Sequence, residues 1–470
     1  MSAEIERQRS QLRELIGADC VLTTAEEMAF ALVDQRALYH GGALAVLLPR
    51  EVEQVARVVR WCNQQRIGLV PQGGNTGYCG GATPDESGTQ LVLALRRLNR
   101  IRAIDVANFS MIVEAGCVLA KVQQEAAAAD RYFPLSLGSE GSCQIGGNLA
   151  TNAGGLNVVR YGMARDLVLG IEAVLPDGQV LDGLKSLRKD NTGYDLKSLL
   201  IGSEGTLGII TAASLKLWPS VRSSATAFAA IANPAAAIAL LERMRSGAVD
   251  RLSSYELLPR AAIDLTVRHT DATDPFDQPY PWYILCELSS SIEEPLQDLL
   301  QQLLADATER SLVLDAVLAT SERVRSAFWR LRELVPEAQR LAGLSLKHDI
   351  SVPVASIPDF IESASSYVAN QVPEALLVCY GHAGDGNLHF NVNAIGAAAS
   401  AALRAREPGI RRAIHDLVAR YHGSISAEHG IGRLKREELA RYGSPVALAA
   451  MRAIKHALDP NGIMNPGKLL

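Results

Sequence analysis

The spacing of apolar residues predicts short strands alternating with amphipathic helices in the first half of the chain. The clearest helical stripe lies in residues 51–65 and consists of Val52, Val55, Val58, Val59 and Cys62. A buried strand is predicted for residues 67–70. A hairpin is predicted for residues 168–181, where two apolar runs flank a Pro-Asp-Gly-Gln turn. The turn-rich Trp218-Pro219-Ser220 follows a last strand, so a domain boundary is expected at residue 220.

The pattern changes after residue 220, where strands and helices follow in βαβ–βαβ order up to residue 317. That order predicts a ferredoxin-like antiparallel sheet covered by helices. A long helix is predicted for residues 321–341 and a strand for 345–351, followed by helices at 355–369, 400–421 and 445–457. The expected fold class is α+β. The expected domains are an N-terminal helical segment, 1–40, two domains, 41–220 and 221–420, and a C-terminal helical segment, 421–470.

Composition narrows the possible functions. A chain of 470 residues is too long for one core, and its net charge of -5, with no basic stripe, argues against nucleic acid as a partner. No apolar run approaches the roughly 20 residues that span a bilayer. The seven cysteines are scattered, and residues 1–17 lack the apolar stretch of a signal peptide. The expectation is a cytoplasmic protein that does not span a membrane.

Three glycine-rich blocks, in residues 71–81, 134–155 and 202–210, stand out in the first half. Glycine lets the backbone approach a ligand closely and turn several N–H groups toward an anion. None of the blocks has the spacing of a P-loop or of the dinucleotide GxGxxG fingerprint. A structural turn accounts for any one block, whereas three together predict an extended cofactor held mostly by backbone groups.

The stretch from Cys379 to Val392 places His382 and His389 on either side of an Ala-Gly-Asp-Gly-Asn turn. Such a turn folds the chain back, so both imidazoles can reach one point. Neutral imidazoles are common zinc ligands, and Glu428 in the later Ser-Ala-Glu-His-Gly segment is a candidate third ligand. By themselves the two histidines fit a hydrogen-bonded hairpin as well as half a metal site.

These motifs resemble the vanillyl-alcohol oxidase / p-cresol methylhydroxylase flavoproteins, and in particular their FAD-dependent D-2-hydroxyacid dehydrogenase branch. The resemblance rests on the three glycine-rich blocks and on the pairing of residues 381–389 with 426–430. It implies a two-subdomain FAD-binding domain followed by a substrate domain, with a C-terminal segment that returns to the flavin. It implies non-covalent FAD at Pro71, Gly73, Gly74, Asn75, Thr76, Gly77, Gly80, Gly81, Gly138, Ser139, Gly147, Asn148, Thr151, Gly154, Gly155, Gly205, Gly208, Ile210 and Asn465.

The resemblance also implies roles in the reaction. His382, His389 and Glu428 match ligands of a zinc-like divalent metal, and His429 matches the catalytic base. Arg332, Lys347 and Asn391 match substrate-binding positions. A 2-hydroxyacid can chelate a metal, so that a neutral histidine takes the hydroxyl proton and hydride passes to flavin N5. D-2-hydroxyglutarate is the expected substrate. Pro336 replaces a threonine common in the hydroxyglutarate enzymes, which leaves D-lactate or another D-2-hydroxyacid as an alternative.

Two other classes fit part of the pattern. A metal-dependent hydrolase would use the histidines and Glu428 but leaves the glycine blocks unexplained. A flavin-binding subunit of a larger oxidase complex would have no need of the histidine pair. Within the dehydrogenase class, an electron-transfer flavoprotein, a quinone or a cytochrome could accept the electrons, and a homodimer is compatible with the sequence.

Overall fold

The computed structural model describes residues 2–470. Its α-helices, in chain order, are α1 Ser2–Ile16, α2 Ala25–Leu32, α3 Val52–Gln65, α4 Leu119–Ala128, α5 Ile145–Ala150, α6 Val158–Tyr161, α7 Leu196–Leu200, α8 Pro234–Ala248, α9 Arg260–His269, α10 Leu296–Glu309, α11 Glu322–Glu333, α12 Val335–Ala342, α13 Ile357–Gln371, α14 Ala397–Arg420, α15 Arg436–Tyr442 and α16 Pro445–Leu458. Among the described residues, none of these helices is both long and apolar enough to cross a membrane.

The strands, in chain order, are β1 Val21–Leu22, β2 Ala45–Leu47, β3 Leu69–Gln72, β4 Leu91–Ala94, β5 Ile101–Asp105, β6 Ser110–Glu114, β7 Arg131–Tyr132, β8 Val168–Val174, β9 Val180–Gly183, β10 Ile209–Lys216, β11 Trp218–Pro219, β12 Ser223–Ile231, β13 Leu252–Pro259, β14 Trp282–Ser290, β15 Asp315–Leu318, β16 Gly343–Leu346, β17 Asp349–Ser351, β18 Leu376–Tyr380 and β19 Asn387–Ile395. The chain divides into two compact units. Unit 1 contains residues 2–155, 162–220 and 428–470, and unit 2 contains 156–161 and 221–427.

Unit 1 contains two main sheets. The first has the strand order β1-β2-β4-β3, and β4 pairs in parallel with both β2 and β3. Helix α3 connects β2 to β3, and its fully buried Val55, Val58 and Val59 pack into the core beneath the sheet. The second sheet is antiparallel, with the order β5-β6-β10-β8-β9. It includes the hairpin predicted at residues 168–181, now seen as β8 paired with β9.

Unit 2 is built on an antiparallel sheet of order β13-β14-β12-β15. Numbered along the unit, this is the 4-1-3-2 order of a ferredoxin-like fold, so the predicted α+β class is confirmed. A cluster of buried aromatic and aliphatic residues, including Phe228, Leu258 and Phe328, fills its core. A second small sheet has the order β16-β19-β17, and β18 also pairs with β19.

Three predicted elements of unit 2 are wrong in detail. The helix expected at 321–341 is two helices, α11 and α12, because Pro336 has no N–H to donate and is accommodated in the first turn of a new helix. The strand expected at 345–351 is interrupted at Lys347 and His348, which separate β16 from β17. Helix α9 follows β13 directly and was not predicted. The strand expected at 312–317 begins only at Asp315.

Candidate functional site

The first glycine-rich block of unit 1 follows the carboxyl end of a parallel strand. Strand β3 ends at Gln72, and its neighbour β4 ends at Ala94. Residues after both strands, Gly73 and Leu95, line one cleft. In open sheets with parallel strands, ligands bind beyond the carboxyl ends of the strands. The position of the block therefore follows from the sheet, not from the glycines alone.

The first and second glycine blocks pack backbone against backbone. A Cβ built on Gly74 would lie 2.3 Å from the carbonyl oxygen of Ser142 and 2.9 Å from Cα of Cys143. A Cβ built on Gly73 would lie 3.3 Å from the amide nitrogen of Gly147. The absence of side chains thus lets two distant loops form one wall of the cleft.

Replacing Gly74 by alanine should separate these two loops. The new methyl group meets main-chain atoms that cannot rotate away, and overpacking of this kind costs about 1–3 kcal/mol. We expect a lower unfolding temperature and a loss of bound flavin, measured by thermal unfolding and by flavin released per chain. Gly141→Ala is the matched control, because Gly141 is exposed on the second of these loops and has open space at its Cβ position. A Gly74→Ala protein with full flavin content and an unchanged unfolding temperature would contradict this account.

The cleft contains about 990 Å³ of empty space, part of it open to solvent, and all of its lining residues belong to unit 1. The cofactor residues predicted from sequence that line it are Pro71, Gly73, Gly74, Asn75, Thr76, Gly77, Gly81, Gly147, Asn148, Thr151, Gly205, Gly208 and Ile210. His429 lines it as well. The predicted residues outside its lining are Gly80, Gly138, Ser139, Gly154, Gly155 and Asn465.

The cleft has the features that a polar, extended cofactor requires. The side-chain oxygen Oε1 of Gln144 is buried in its wall and has no hydrogen-bond partner among the described residues. Buried polar atoms are normally paired, so this oxygen fits a donor on a bound ligand. Gly77 lines the cleft with no atom within 4 Å of its Cβ position, which leaves room for close approach. The residues of the cleft therefore fit FAD.

Asn465 ties together the loops that form the cleft. Its side-chain Nδ2 donates to the carbonyl oxygen of Gly81 at 2.9 Å and to that of Glu204 at 2.7 Å. The backbone beside it pairs with β3, since the amide nitrogen of Asn465 donates to the carbonyl oxygen of Leu69. The C-terminal tail thus joins the first and third glycine blocks. Asn465 holds the cleft together without lining it.

Glu204 is a cleft residue that was not predicted from the sequence. It lines the cleft, and its carboxylate accepts hydrogen bonds from the amides of Ile431 and Gly432, each at 2.7 Å. Burial raises the pKa of this carboxyl group, although the two amides and the charge of Lys435 act in the opposite direction. Glu204 therefore fixes the loop that directly follows His429. In the sequence, the position of Glu204 inside the Gly-Ser-Glu-Gly block was the feature that could have identified it as a cleft residue.

Glu428 and His429 lie side by side in unit 1 with different contacts. The amide nitrogen of Gly155 donates to Oε1 of Glu428 at 2.6 Å, which orients the carboxylate. The ring of His429 stands edge-on to Tyr78, with 4.8 Å between centroids. Gly155 holds a positive φ of 100°, and a Cβ there would lie 2.0 Å from the carbonyl oxygen of Ser136. Glycine is therefore required at the position that orients Glu428.

The two histidines of unit 2 come together on a hairpin. Strands β18 and β19 pair so that Tyr380 faces His389, and the intervening turn carries His382. The ring centroids of His382 and His389 lie 5.6 Å apart. His382 is buried, whereas His389 is half-buried and packs against the ring of Tyr380. The hairpin thus presents two imidazoles to one small region.

A buried carboxylate, Glu256 in β13, contacts two of the predicted site residues. Its Oε1 lies 2.5 Å from Nδ1 of His382, and its Oε2 accepts from Nε of Arg332 at 2.6 Å. Burial by itself would raise the pKa of Glu256, but the charges and hydrogen bonds of His382 and Arg332 outweigh it and lower the pKa. The guanidinium of Arg332 also lies over the ring of Tyr380, 4.8 Å from its centroid. Arg332 is 6% exposed, so it is not one of the solvated arginines of α11.

The other two predicted substrate residues differ in their surroundings. Asn391 is buried, its Oδ1 accepts from the amide nitrogen of His348 at 3.3 Å, and its Nδ2 donates to Gln339 at 3.0 Å. The amide of Asn391 is therefore held inside unit 2 by protein partners. Lys347 is half-buried, at the break between β16 and β17.

Known protein families match both units of the chain. The family model described as "FAD linked oxidases, C-terminal domain" matches residues 221–469, and "FAD binding domain" matches residues 43–183. A mitochondrial D-2-hydroxyglutarate dehydrogenase of Arabidopsis thaliana is 38% identical over 465 residues, which cover 98% of this chain and 81% of the plant protein. One from Danio rerio is 38% identical over 452 residues, covering 96% and 82% of the two chains. A crystal structure of p-cresol methylhydroxylase with bound substrate has a TM-score of 0.78 at 17% identity and covers 100% of this chain and 97% of its own.

The matching family models and the curated relatives show that the chain is an FAD-binding oxidoreductase. The chain belongs to the FAD-dependent D-2-hydroxyacid dehydrogenases of the FAD-linked oxidase family. The family predicted from the glycine blocks and the two histidine segments is confirmed, as is FAD as the cofactor. The predicted cytoplasmic location is wrong by this comparison, because the relatives from Arabidopsis thaliana and Danio rerio are named as mitochondrial enzymes.

Proposed function

We propose that this protein oxidises D-2-hydroxyglutarate to the 2-oxoacid in a reaction that depends on FAD and a divalent metal, and that it passes the electrons to a separate acceptor. One observation carries the proposal. The β18–β19 hairpin sets the rings of His382 and His389 5.6 Å apart in a chain that also contains an FAD cleft. A hydrolase would need no such cleft, and a passive flavin subunit would need no such histidine pair.

In this proposal unit 1 is the cofactor domain and unit 2 is the substrate domain. FAD supplies the hydride acceptor when bound, without a covalent link to the protein. The glycine loops predicted from the sequence hold it, with Gln144, Ser203 and Glu204 added from the lining of the cleft. Glycine at positions 73 and 74 keeps the loops close, and Asn465 fixes the tail against them.

The proposed metal ligands are His382, His389 and Glu428. Two imidazole nitrogens and one carboxylate oxygen form a donor set typical of catalytic zinc, which would supply Lewis-acid chemistry. Each ligand has an orienting partner in its own unit: Glu256 contacts His382, Tyr380 packs on His389, and Gly155 donates to Glu428. Hydrogen-bond partners such as Glu256 and Gly155 are common for metal-binding histidines and carboxylates.

Arg332 and Lys347 are the proposed partners of the substrate carboxylates, and Asn391 supports them. Because Nε of Arg332 is bonded to Glu256, the Nη nitrogens are the atoms that would meet a carboxylate. His429 is the proposed base that takes the proton of the substrate hydroxyl, and Glu204 holds the backbone that follows it.

Pro336 favours a second candidate within the same class. The proline lies in the first turn of α12 and offers neither a hydroxyl nor an N–H at a position where hydroxyglutarate enzymes commonly have threonine. A shorter or apolar acid would not need that contact. D-lactate or another D-2-hydroxyacid is therefore the alternative substrate. The proposed electron acceptor is an electron-transfer flavoprotein, a quinone or a cytochrome, and the proposed assembly is a homodimer.

A panel of D-2-hydroxyacids, assayed with an artificial dye acceptor in the presence and absence of a chelator, tests this function. We expect turnover with D-2-hydroxyglutarate, loss of turnover after chelation, and recovery when a divalent metal is added back. The L enantiomers serve as controls. Turnover with D-lactate but not with D-2-hydroxyglutarate would support the alternative. A protein that contains FAD and metal but oxidises no D-2-hydroxyacid would contradict both.

A further inference from the structure

A buried acidic side chain, Glu256, lies on β13, the edge strand of the ferredoxin-like sheet of unit 2. Glu256 is fully buried in β13, a strand whose residues are all buried. An ionised carboxylate at such a position is costly unless it is paired and hydrogen-bonded. The presence of a charged side chain at this buried position is therefore explained by the groups that pair with it.

Glu256 uses one oxygen for each of two partners that are distant in sequence. Oε2 accepts from Nε of Arg332, which is 76 residues away, and Oε1 contacts Nδ1 of His382, which is 126 residues away. Arg332 belongs to α11 and His382 to the turn between β18 and β19. The carboxylate of Glu256 thus connects its own strand β13 to helix α11 and to the β18–β19 turn.

The backbone around Glu256 fixes this geometry further. The amide nitrogen of Leu257 donates to the carbonyl oxygen of Gly381 at 2.9 Å, and the amide of Gly381 returns a bond to Leu257 at 3.0 Å. On the other side, the amide of Gly384 donates to the carbonyl oxygen of Tyr255 at 3.2 Å. The residues before and after Glu256 therefore bind the chain before and after His382. The imidazole cannot move away from the carboxylate without breaking main-chain hydrogen bonds.

This arrangement determines which imidazole nitrogen can bind a metal. A carboxylate only accepts hydrogen bonds, so Nδ1 of His382 carries the proton that it donates to Glu256. In the neutral ring the lone pair is then on Nε2, which becomes the metal-binding atom. Glu256 also increases the basicity of the ring, as carboxylates do in carboxylate–histidine–metal triads.

The same carboxylate determines how Arg332 is presented. The hydrogen bond from Nε of Arg332 to Glu256, together with the ring of Tyr380 beneath the guanidinium, sets the plane of the guanidinium group. A substrate carboxylate would then be met by the Nη nitrogens in a defined direction. If Glu256 shifts, the arginine and the histidine shift together.

We propose that Glu256 is a positioning residue that couples the substrate-binding arginine Arg332 to the metal-binding histidine His382. This inference rests on the proposed roles of those two residues. It goes beyond them, because it makes metal affinity and substrate affinity depend on one buried group that contacts neither ligand. If Glu256 only neutralised the charge of Arg332, its substitution would not change metal affinity and substrate affinity together.

Glu256→Gln tests the coupling. If the amide oxygen keeps the bond to Arg332, the amide NH₂ faces His382 and favours protonation of Nε2, the nitrogen needed for the metal. We expect zinc affinity, measured by calorimetric titration of the metal-depleted flavoprotein, to fall by about 10–100-fold. We also expect KM for the hydroxyacid to rise, while flavin content stays at one per chain as in the wild type.

Glu287→Gln is the matched control. Glu287 lies on the adjacent strand β14 and is also buried, but its carboxylate pairs with Arg325 of α11 at 2.7 Å and with Trp329 at 2.9 Å instead of with a histidine. Removing its charge should lower the unfolding temperature without changing zinc affinity or KM by more than about twofold, because it contacts neither proposed ligand group. This comparison separates positioning from the general loss of a buried charge pair.

Glu256→Asp covers the case in which the glutamine variant does not fold. Aspartate keeps the charge but is one methylene shorter, so it cannot reach both partners, and zinc affinity and KM should change together. Wild-type zinc affinity and KM in a folded Glu256 variant would overturn the proposal. Failure of the proposed function has a different signature: wild-type protein would bind no divalent metal, or would bind it equally well after His382→Ala.

Discussion

His389→Ala is expected to give a yellow, FAD-containing protein that oxidises D-2-hydroxyglutarate about a thousandfold more slowly than the wild type. The loss follows because Lewis-acid stabilisation by a metal contributes several kcal/mol, and each 1.36 kcal/mol is worth a factor of ten in rate. FAD should be retained, since its proposed site lies in unit 1 and His389 belongs to unit 2. Metal per chain, flavin per chain and kcat are the measurements.

His269→Ala is the control for this variant, since His269 ends α9 and is not part of the proposed site. It should keep metal, flavin and turnover. Normal turnover by a His389→Ala protein that has lost its metal would contradict the metal-dependent mechanism. Loss of flavin together with loss of metal would show instead that the substitution disturbs folding.

His429→Gln is expected to lower kcat by about 10²–10⁴-fold, the range for removal of a general base. Metal and flavin contents should remain at wild-type levels, because His429 is not among the proposed metal ligands and its neighbouring loop is held by Glu204. The rate of flavin reduction in a single turnover separates this effect from a slow electron acceptor.

His456→Ala is the matched control, because His456 is exposed in α16 of the same unit. Glutamine also loses the edge-on packing of His429 against Tyr78, so thermal unfolding should accompany the kinetics. A His429→Gln protein that reduces its flavin at the wild-type rate would remove His429 from the role of base.

Much of the fold followed from local patterns. The stripe of valines in α3 marks a helix because period and burial coincide, and the Pro-Asp-Gly turn marks the β8–β9 hairpin. Where a pattern was ambiguous the prediction was wrong: Pro336 lay within an apparently continuous helical pattern, but it begins a new helix.

The pairing of distant residues was not readable from the sequence. Glu256 looked like one acid within a strand, and nothing local indicates that it meets residues 76 and 126 positions away. Glu204 was visible within a glycine block, but its partners Ile431 and Gly432 are 227 and 228 positions away in the sequence. The candidate ligands were accessible because their residue types are chemically distinctive. The groups that orient them are ordinary carboxylates, and only the fold identifies them.

Anaerobic reduction of the bound flavin tests the central claim most directly. The FAD-containing, metal-containing protein is mixed with D-2-hydroxyglutarate in the absence of any electron acceptor, and the visible absorbance of the oxidised flavin is followed. We predict bleaching with the D enantiomer and not with the L enantiomer, abolished by chelation and restored by added metal. A flavin that stays oxidised with D-2-hydroxyglutarate and with every other D-2-hydroxyacid, in protein shown to contain both cofactors, would contradict the account.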